Sequence, residues 1–208
     1  MRRVVRVTEE VARWVFEVHI TRHAPGWYIA FTNPTAGPWK RIMATNSDGV
    51  VGEVHRFARE ETRPDLVLVN DKLSAILIVE AKGKIIGLLS STQRLKSVAV
   101  VQDLAVILRR TNEFWAGRQD FQVVCGLLWG AEDETSTLEA AQTISAYENS
   151  LAKGKHGVLK KVIGVECLRL PQENEIACRI LHLPGASQED EQFAAKLMRS
   201  FKLPITKC

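Results

Sequence analysis

The sequence predicts a mixed α/β domain in which one central sheet is flanked by helices. Short continuous apolar runs of strand length alternate with amphipathic segments of helix length along the chain. No repeat, low-complexity tract or linker-like stretch divides the 208 residues, of which 46% are hydrophobic and 25% charged. This composition is typical of a globular protein and the length suits one domain, so we predict a single domain over residues 1–208.

Charge and targeting signals limit the classes of partner. The formal net charge is +4, which permits a polyanionic partner without requiring one. No apolar run approaches the roughly 20 residues that span a bilayer, and the start MRRVVRVTEEVARW lacks the apolar core of a secretory signal. The four cysteines show neither a C-x-x-C pattern nor zinc-ligand spacing. We therefore expect a cytoplasmic protein with reduced thiols and no membrane partner.

The first helix is expected to begin after Thr8, a good N-cap, and to run to about Ile20. Apolar residues at helical spacing predict its buried stripe: Val11, Trp14, Val15 and Val18. A short strand is expected over Trp27–Phe31, and the rest of Gly26–Gly49, rich in proline and glycine, is interpreted as a loop.

A second helix is expected from Ser47 or Asp48 to about Glu60, ending at Arg63-Pro64 because the residue before proline disfavours the α conformation. Two continuous apolar runs follow, DLVLVN (Asp65–Asn70) and AILIVEAK (Ala75–Lys82). Such runs indicate strands buried on both faces, and the short turn between them predicts an antiparallel hairpin.

The second half of the chain continues the alternation of helices and strands. The predicted elements are a helix over about Thr92–Arg110, a strand over Phe121–Trp129, a helix over Ser136–Ala152, a hairpin of Val162–Leu170 with Glu175–Leu183, and a last helix from Ser187 or Gln188. In the helix over Ser136–Ala152, Leu138, Ala141, Ile144 and Ala146 occupy the apolar positions. In the second hairpin, Cys167 and Cys178 are expected to face each other as reduced core thiols.

The hairpin at 65–82 carries the candidate chemistry. Glu80 and Lys82 share a face because side chains two apart on a strand point the same way. If Asn70 pairs with Ala75, the residue numbers of each pair add up to 145, and Asp65 lies opposite Glu80 with β-carbons roughly 4.5–5.5 Å apart.

Two carboxylates so close repel each other, and a divalent cation relieves the repulsion. A small number of oxygen ligands suits Mg²⁺, so Asp65 and Glu80 are the predicted metal ligands. Lys82 can hold or deprotonate a water that attacks a phosphate, or neutralise charge that builds on it. The pattern therefore indicates phosphodiester hydrolysis. The alternative is an aspartate that caps a turn and a Glu–Lys pair at a solvated strand end.

These residues, Pro64-Asp65 and Glu80-Ala81-Lys82, resemble the signature of the PD-(D/E)XK nuclease superfamily. The predicted elements over about 47–130 are similar to the αβββαβ core of that superfamily, the restriction-endonuclease-like fold. The resemblance implies that Asp65 and Glu80 bind Mg²⁺ and that Lys82 lies beside the attacking water. Its type II restriction enzymes, repair nucleases and junction resolvases all act on DNA.

The resemblance also implies further site residues. Many members add an acidic residue from the preceding helix, for which Glu53 is the candidate and Glu60 and Glu61 the rivals. Gln93 is a plausible polar accessory at the start of the following helix. The Gln-x-x-x-Tyr pattern of exonuclease-type members is absent because position 97 is serine, which argues against a processive exonuclease.

Two segments, 24–46 and 150–161, are candidate DNA-contacting loops because they combine cationic with aromatic or glycine residues. Their candidate DNA-binding residues are Trp39, Lys40, Arg41, Met43 and Asn46 in the first segment and Lys153, Lys155 and Lys160 in the second. The alternatives are that Trp27 completes the core and that the lysines form a solvated loop.

The predicted function is a Mg²⁺-dependent endonuclease of double-stranded DNA, of the type II restriction class. A palindromic target would imply a homodimer. No G-x-x-x-x-G-K-[ST] motif is present, so no nucleotide cofactor is expected. The alternatives are a structure-specific repair nuclease or junction resolvase, and a catalytically silent DNA-binding subunit.

Overall fold

One seven-stranded mixed sheet organises the protein. The computed structural model describes residues 6–32, 41–45, 51–56, 64–109, 120–152, 158–170, 175–184 and 188–208. The helices are α1 (Glu9–His23), α2 (Ile86–Leu89), α3 (Ser91–Arg109), α4 (Thr137–Leu151) and α5 (Gln188–Ser200). The strands are β1 (Tyr28–Thr32), β2 (Arg41–Thr45), β3 (Val51–Arg56), β4 (Leu66–Asn70), β5 (Ala75–Lys82), β6 (Gln122–Ala131), β7 (Val158–Leu170), β8 (Glu175–His182) and β9 (Ile205–Lys207).

The strand order across the sheet is β1-β4-β5-β6-β7-β8-β9, while β2 and β3 pair separately. β4 pairs antiparallel with both β1 and β5. β6 pairs parallel with both β5 and β7, and the crossover connections between these parallel strands contain α3 and α4. The chain therefore follows the order helix, three strands, helix and strand, formed by α1, β1, β4, β5, α3 and β6. The β2–β3 hairpin is inserted after β1, and the short α2 precedes α3.

Helices cover both faces of the sheet, which confirms the predicted fold class at the level of a mixed α/β domain. The buried residues of α1 and α5 pack on one face, and those of α2, α3 and α4 pack on the other. None of the helices in the described part of the chain is long and apolar enough to cross a bilayer.

The β4–β5 hairpin forms as predicted. Its register runs from Asn70↔Ala75 to Leu66↔Val79, the alignment expected from the turn length. A short 3-10 turn closes it, in which the Asn70 side chain accepts from the Leu73 N–H at 3.1 Å and Ser74 adopts a left-handed φ of 50°. Every residue of β4 and β5 is buried except Lys82 at the end, as continuous apolar runs indicate.

Helix α1 begins as predicted but buries a different face. The Thr8 hydroxyl accepts from the Val11 N–H, and the helix buries Ala12, Phe16 and Ile20. Trp14, predicted to be buried, is 65% exposed. Ala12 allows α1 to lie close to the sheet, and Phe16 packs against Phe201 after α5 with ring centroids 6.1 Å apart. Two of the three valines of the predicted stripe, Val11 and Val15, are partly buried and pack against the core on this face.

The helix predicted from Ser47 to Glu60 is wrong. Residues 51–56 form β3, which pairs antiparallel with β2 over 41–45, so part of the predicted loop is also strand. The valines of this segment are β-branched and favour extended structure, while Gly52 weakens a helix. The apolar spacing of this segment fits both the helical and the strand period, and the predicted helix rests on the wrong one.

Smaller differences lie further along the chain. β7 begins at Val158, so Lys160 belongs to a strand and not to the loop predicted over 150–161. β9 was not predicted, and it adds three residues to the edge of the sheet beside β8. In α4 the predicted apolar position Leu138 is exposed. Cys167 and Cys178 do face each other, with both thiols buried and their sulfurs 2.7 Å apart.

Candidate active site

The open end of the β4–β5 hairpin carries two buried carboxylates. Asp65 directly precedes β4 and Glu80 lies near the end of β5, with exposed fractions of 8% and 9%. The Asp65 N–H donates to the Val79 carbonyl at 3.1 Å, and the Asp65 Oδ2 accepts from the Ala81 N–H at 2.7 Å. The aspartate side chain thus takes the place of a backbone acceptor where the two strands separate, and this holds its carboxylate beside Glu80.

Lys82 lies among the acids of the site. Its Nζ is 2.8 Å from Glu80 Oε1 and 4.0 Å from Asp65 Oδ2, and it donates to the Ala81 carbonyl at 2.6 Å. Glu80 and Lys82 therefore share a face, as their spacing predicts. The structure brings together the three residues on which the resemblance depends.

A third carboxylate, Glu9, was missed by the sequence analysis. Glu9 is the first residue of α1, and its Oε2 lies 3.6 Å from Lys82 Nζ. The sequence predicts an acid from the helix before the hairpin, with Glu53 as the candidate and Glu60 and Glu61 as rivals, but Glu53 lies on strand β3. The sequence feature that points to Glu9 is the Thr8 N-cap, because it places Glu9 in the first turn of a helix that precedes all the strands.

Two glycines allow this part of α1 to approach the sheet. A β-carbon at Gly83 would lie 3.3 Å from the Glu9 nitrogen, and one at Gly130 would overlap the Val7 carbonyl. Residues 7–9 can therefore cross the ends of β5 and β6 because neither strand carries a side chain at the crossing point.

Burial raises the pKa values of two of the site's acids, and the excess of negative charge raises that of Lys82. Burial, and next the charge of Asp65, raise the pKa of Glu80 to about 7. Burial also raises the pKa of Glu9. For Lys82, burial lowers the pKa, but Glu80, Asp65 and Glu9 together outweigh it and raise the pKa above its ordinary value. Lys82 is therefore a charged ammonium at neutral pH.

Gln93 contacts the site from the first turns of α3, where the sequence suggested an accessory role. Its Nε2 donates to Glu80 Oε1 at 2.6 Å and lies 3.4 Å from Ser97 Oγ. The Ser97 hydroxyl in turn donates to the Gln93 carbonyl at 2.9 Å. Glu80 Oε1 thus receives donors from both Gln93 and Lys82, which fixes the orientation of the carboxylate.

The donor set fits a magnesium ion held mainly by water. In the described residues, no group of three or more His, Cys, Asp and Glu side chains is arranged to hold a metal. Asp65 and Glu80 provide two neighbouring carboxylates, and Mg²⁺ commonly takes one or two carboxylates and completes its shell with water. When all three acids are ionised and Lys82 is protonated, the site carries two negative charges, which a divalent cation would balance.

Three other predicted site residues belong to the β2–β3 hairpin. Glu53 is on β3, opposite Met43 on β2, and Arg41 begins β2, so none of the three is on a helix or in a loop. Several predicted residues lie outside the described residues: Trp39, Lys40, Asn46, Glu60, Glu61, Lys153 and Lys155. No role is assigned to any of them here.

Trp27 belongs to the core, in agreement with the alternative reading of its segment. Its side chain is buried, its ring stacks on Phe201 with centroids 4.7 Å apart, and its Nε1 donates to Ser200 Oγ at 2.8 Å.

In comparisons with protein-family models, curated proteins and solved structures, the chain matched none.

Proposed function

We propose that the protein is a Mg²⁺-dependent endonuclease that hydrolyses phosphodiester bonds in DNA. The observation that carries the proposal is the gathering of Asp65, Glu80 and Lys82 at the open end of one buried hairpin. The order of α1, β1, β4, β5, α3 and β6 supports it, since it agrees with the αβββαβ order of the superfamily that the motif resembles.

Asp65 and Glu80 would hold the metal, with Glu9 near enough to take part through water. When bound, Mg²⁺ would supply an activated water and compensate charge on the phosphate oxygens. The side chains have to keep the two carboxylates together against their repulsion. The Ala81 N–H does this for Asp65, and Gln93 does it for Glu80.

Lys82 would act as a cation rather than as a base. Because its pKa is raised, it keeps its proton at neutral pH and can donate it in a hydrogen bond to a phosphate oxygen. In the proposed reaction a water oxygen bonds to phosphorus, the bond from phosphorus to one bridging oxygen breaks, and the leaving oxygen gains a proton that derives from the water. Lys82 would stabilise the negative charge that accumulates on the phosphate during this exchange.

Two kinds of substrate fit this chemistry. One is a short specific sequence in paired DNA, as for a type II restriction endonuclease that works as a homodimer on a palindrome. The other is branched or otherwise unpaired DNA, as for a repair nuclease or junction resolvase. The cleavage pattern separates them, since the first produces discrete fragments from long duplexes and the second requires an altered structure.

The test uses purified protein with plasmid, phage and branched DNAs, in Mg²⁺ and in EDTA. Lys82→Ala is compared with Lys72→Ala, the same change at the exposed far end of the hairpin. We expect cleavage that needs Mg²⁺, a loss of about 100-fold or more in Lys82→Ala, and no loss in Lys72→Ala. Folded protein that cleaves none of these DNAs in Mg²⁺, or a Lys82→Ala protein of normal activity, would contradict the proposal. A silent protein that still binds DNA would support the subunit alternative.

A further inference from the structure

A cavity of about 630 Å³ adjoins the three acids and Lys82 and shares Glu9 with them. Three segments line it: residues 6–9 at the start of α1, residues 83–85 after β5, and residues 130–133 with Thr135 after β6. Its volume is in the range of about 300–1,000 Å³ that is usual for small-molecule sites. The cavity can therefore hold one nucleotide immediately beside the proposed scissile phosphate.

The walls of the cavity are held by buried interactions. The Val7 N–H donates to Glu132 Oε1 at 3.0 Å, which joins the first segment to the third. Glu166, whose side chain is fully buried, accepts from the Thr135 N–H at 2.9 Å and from Trp129 Nε1 at 3.4 Å. The loop after β6 is thus fixed from within the sheet, so the protein's own hydrogen bonds preorganise the cavity.

The lining combines an apolar interior with exposed charges of both signs. Glu132 and Asp133 line the cavity beside Arg6 and Lys84, and Glu132 pairs with Arg169 at 3.6 Å. Val7 and Ile85 are buried, whereas Arg6 and Lys84 are exposed. Within the described ranges, neither Arg6 nor Lys84 forms an ion pair with a carboxylate. A base can lie against the apolar part while the two cations contact backbone phosphates.

We propose that this cavity binds one unpaired nucleotide of the strand that is cut, next to the scissile phosphate. A base inside a duplex is stacked and paired, so it enters a cavity of this kind only if it is unpaired or turned out of the helix. The inference rests on the proposed nuclease function and narrows its substrate to DNA with an unpaired nucleotide at the cleavage point.

The first experiment compares one labelled strand in a fully paired duplex with the same strand in gapped, flapped and overhanging duplexes. We expect kcat/KM at least about tenfold higher where the nucleotide beside the cut is unpaired. Arg6→Ala and Lys84→Ala should raise KM for those substrates severalfold, while Lys72→Ala should not. Equal cleavage of the fully paired duplex would overturn the inference and leave the nuclease proposal intact.

The second experiment does not depend on cleavage. Ala131→Phe places a ring in the cavity from a partly exposed position, and Ala152→Phe makes the same change at the exposed end of α4. Binding of a fluorescent single-stranded trinucleotide is measured by anisotropy in EDTA. We expect Ala131→Phe to weaken binding at least about tenfold and Ala152→Phe to leave it unchanged. Equal binding by both variants, or no binding by the unmodified protein, would overturn the inference even if the protein cleaves DNA.

Discussion

Glu80 and Glu166 are both buried glutamates on central strands of the same sheet, yet their surroundings differ. Glu166 on β7 has the Thr135 N–H and Trp129 Nε1 at one oxygen and Arg179 Nε at 2.7 Å from the other. Glu80 on β5 has Lys82 and Gln93 at one oxygen, and it shares Lys82 with Asp65 and Glu9.

The difference lies in how far each carboxylate is compensated. Arg179 lies between Glu166 and the largely exposed Glu134, and backbone and indole donors complete the surroundings of Glu166. At Glu80 one ammonium serves three acids, two of which have raised pKa values. A fully hydrogen-bonded buried carboxylate stabilises the fold, whereas an under-compensated one costs stability and is suited to bind a cation.

The largest expected effect comes from removing the charge of each glutamate in turn. Glu80→Gln should reduce cleavage by about 100-fold or more, yet raise the metal-free free energy of unfolding at pH 8 because a repelled buried charge disappears. Glu166→Gln should lower the free energy of unfolding by about 1–3 kcal/mol, since Arg179 loses its buried partner. Urea unfolding in EDTA and plasmid cleavage in Mg²⁺ measure the two effects.

A further readout makes this comparison sharper. Added Mg²⁺ should raise the Tm of the unmodified protein and of Glu166→Gln, but not that of Glu80→Gln. If Glu80→Gln destabilised the metal-free protein more than Glu166→Gln does, Glu80 would be a structural residue and the contrast would be lost.

The pH dependence of stability gives the next effect. Because the folded-state pKa of Glu80 is about 7 against an ordinary value of 4.5, the folded protein holds a proton that the unfolded chain releases between these values. The free energy of unfolding in EDTA should therefore fall as pH rises from about 4.5 to about 7. Thermal unfolding across this range checks the trend, and Glu80→Gln should flatten it. A profile that is identical in both proteins would show that other groups determine it.

The smallest expected effect comes from Gln93. Gln93→Ala removes one donor from Glu80 but leaves Lys82 and Asp65 in place, so cleavage should fall by about tenfold. The loss of this donor should also raise the pKa of Glu80. Because Glu80 binds the metal as a carboxylate, the pH at which cleavage reaches half of its maximum should then be higher than in the unmodified protein. Gln142→Ala, on the exposed side of α4, is the matched control. An unchanged pH profile in Gln93→Ala would mean that the glutamine only fills space.

Sequence patterns predicted the hairpin and the proximity of Asp65, Glu80 and Lys82, because local rules determine both. The continuous apolar run Ala75–Val79 has few alternatives to a buried strand, and the turn length then sets the register from Asn70 to Leu66. Glu80 and Lys82 follow from the two-residue period of a strand. The Gln93 contact also follows, since a helix after the strand must begin near the strand end.

The remaining features depend on tertiary contacts that no local pattern contains. The segment from Val51 to Arg56 fits a helical spacing, but pairing with β2 decides in favour of a strand. Glu9 reaches Lys82 because α1 crosses the sheet ends at Gly83 and Gly130, about 75 and 120 residues further along the chain. The buried face of α1 is chosen by contact with Phe201, near the other end of the sequence.

The four cysteines give the sheet a set of internal reporters. Cys208 is partly exposed, whereas Cys125, Cys167 and Cys178 are buried on β6, β7 and β8. Burial also raises the pKa of Cys125 and Cys167, which keeps their thiols protonated and slow to react. A thiol reagent should therefore label Cys208 in the folded protein and the other three only when their strands open. The order in which the buried thiols react then shows which part of the sheet separates first, strand by strand, without any added label.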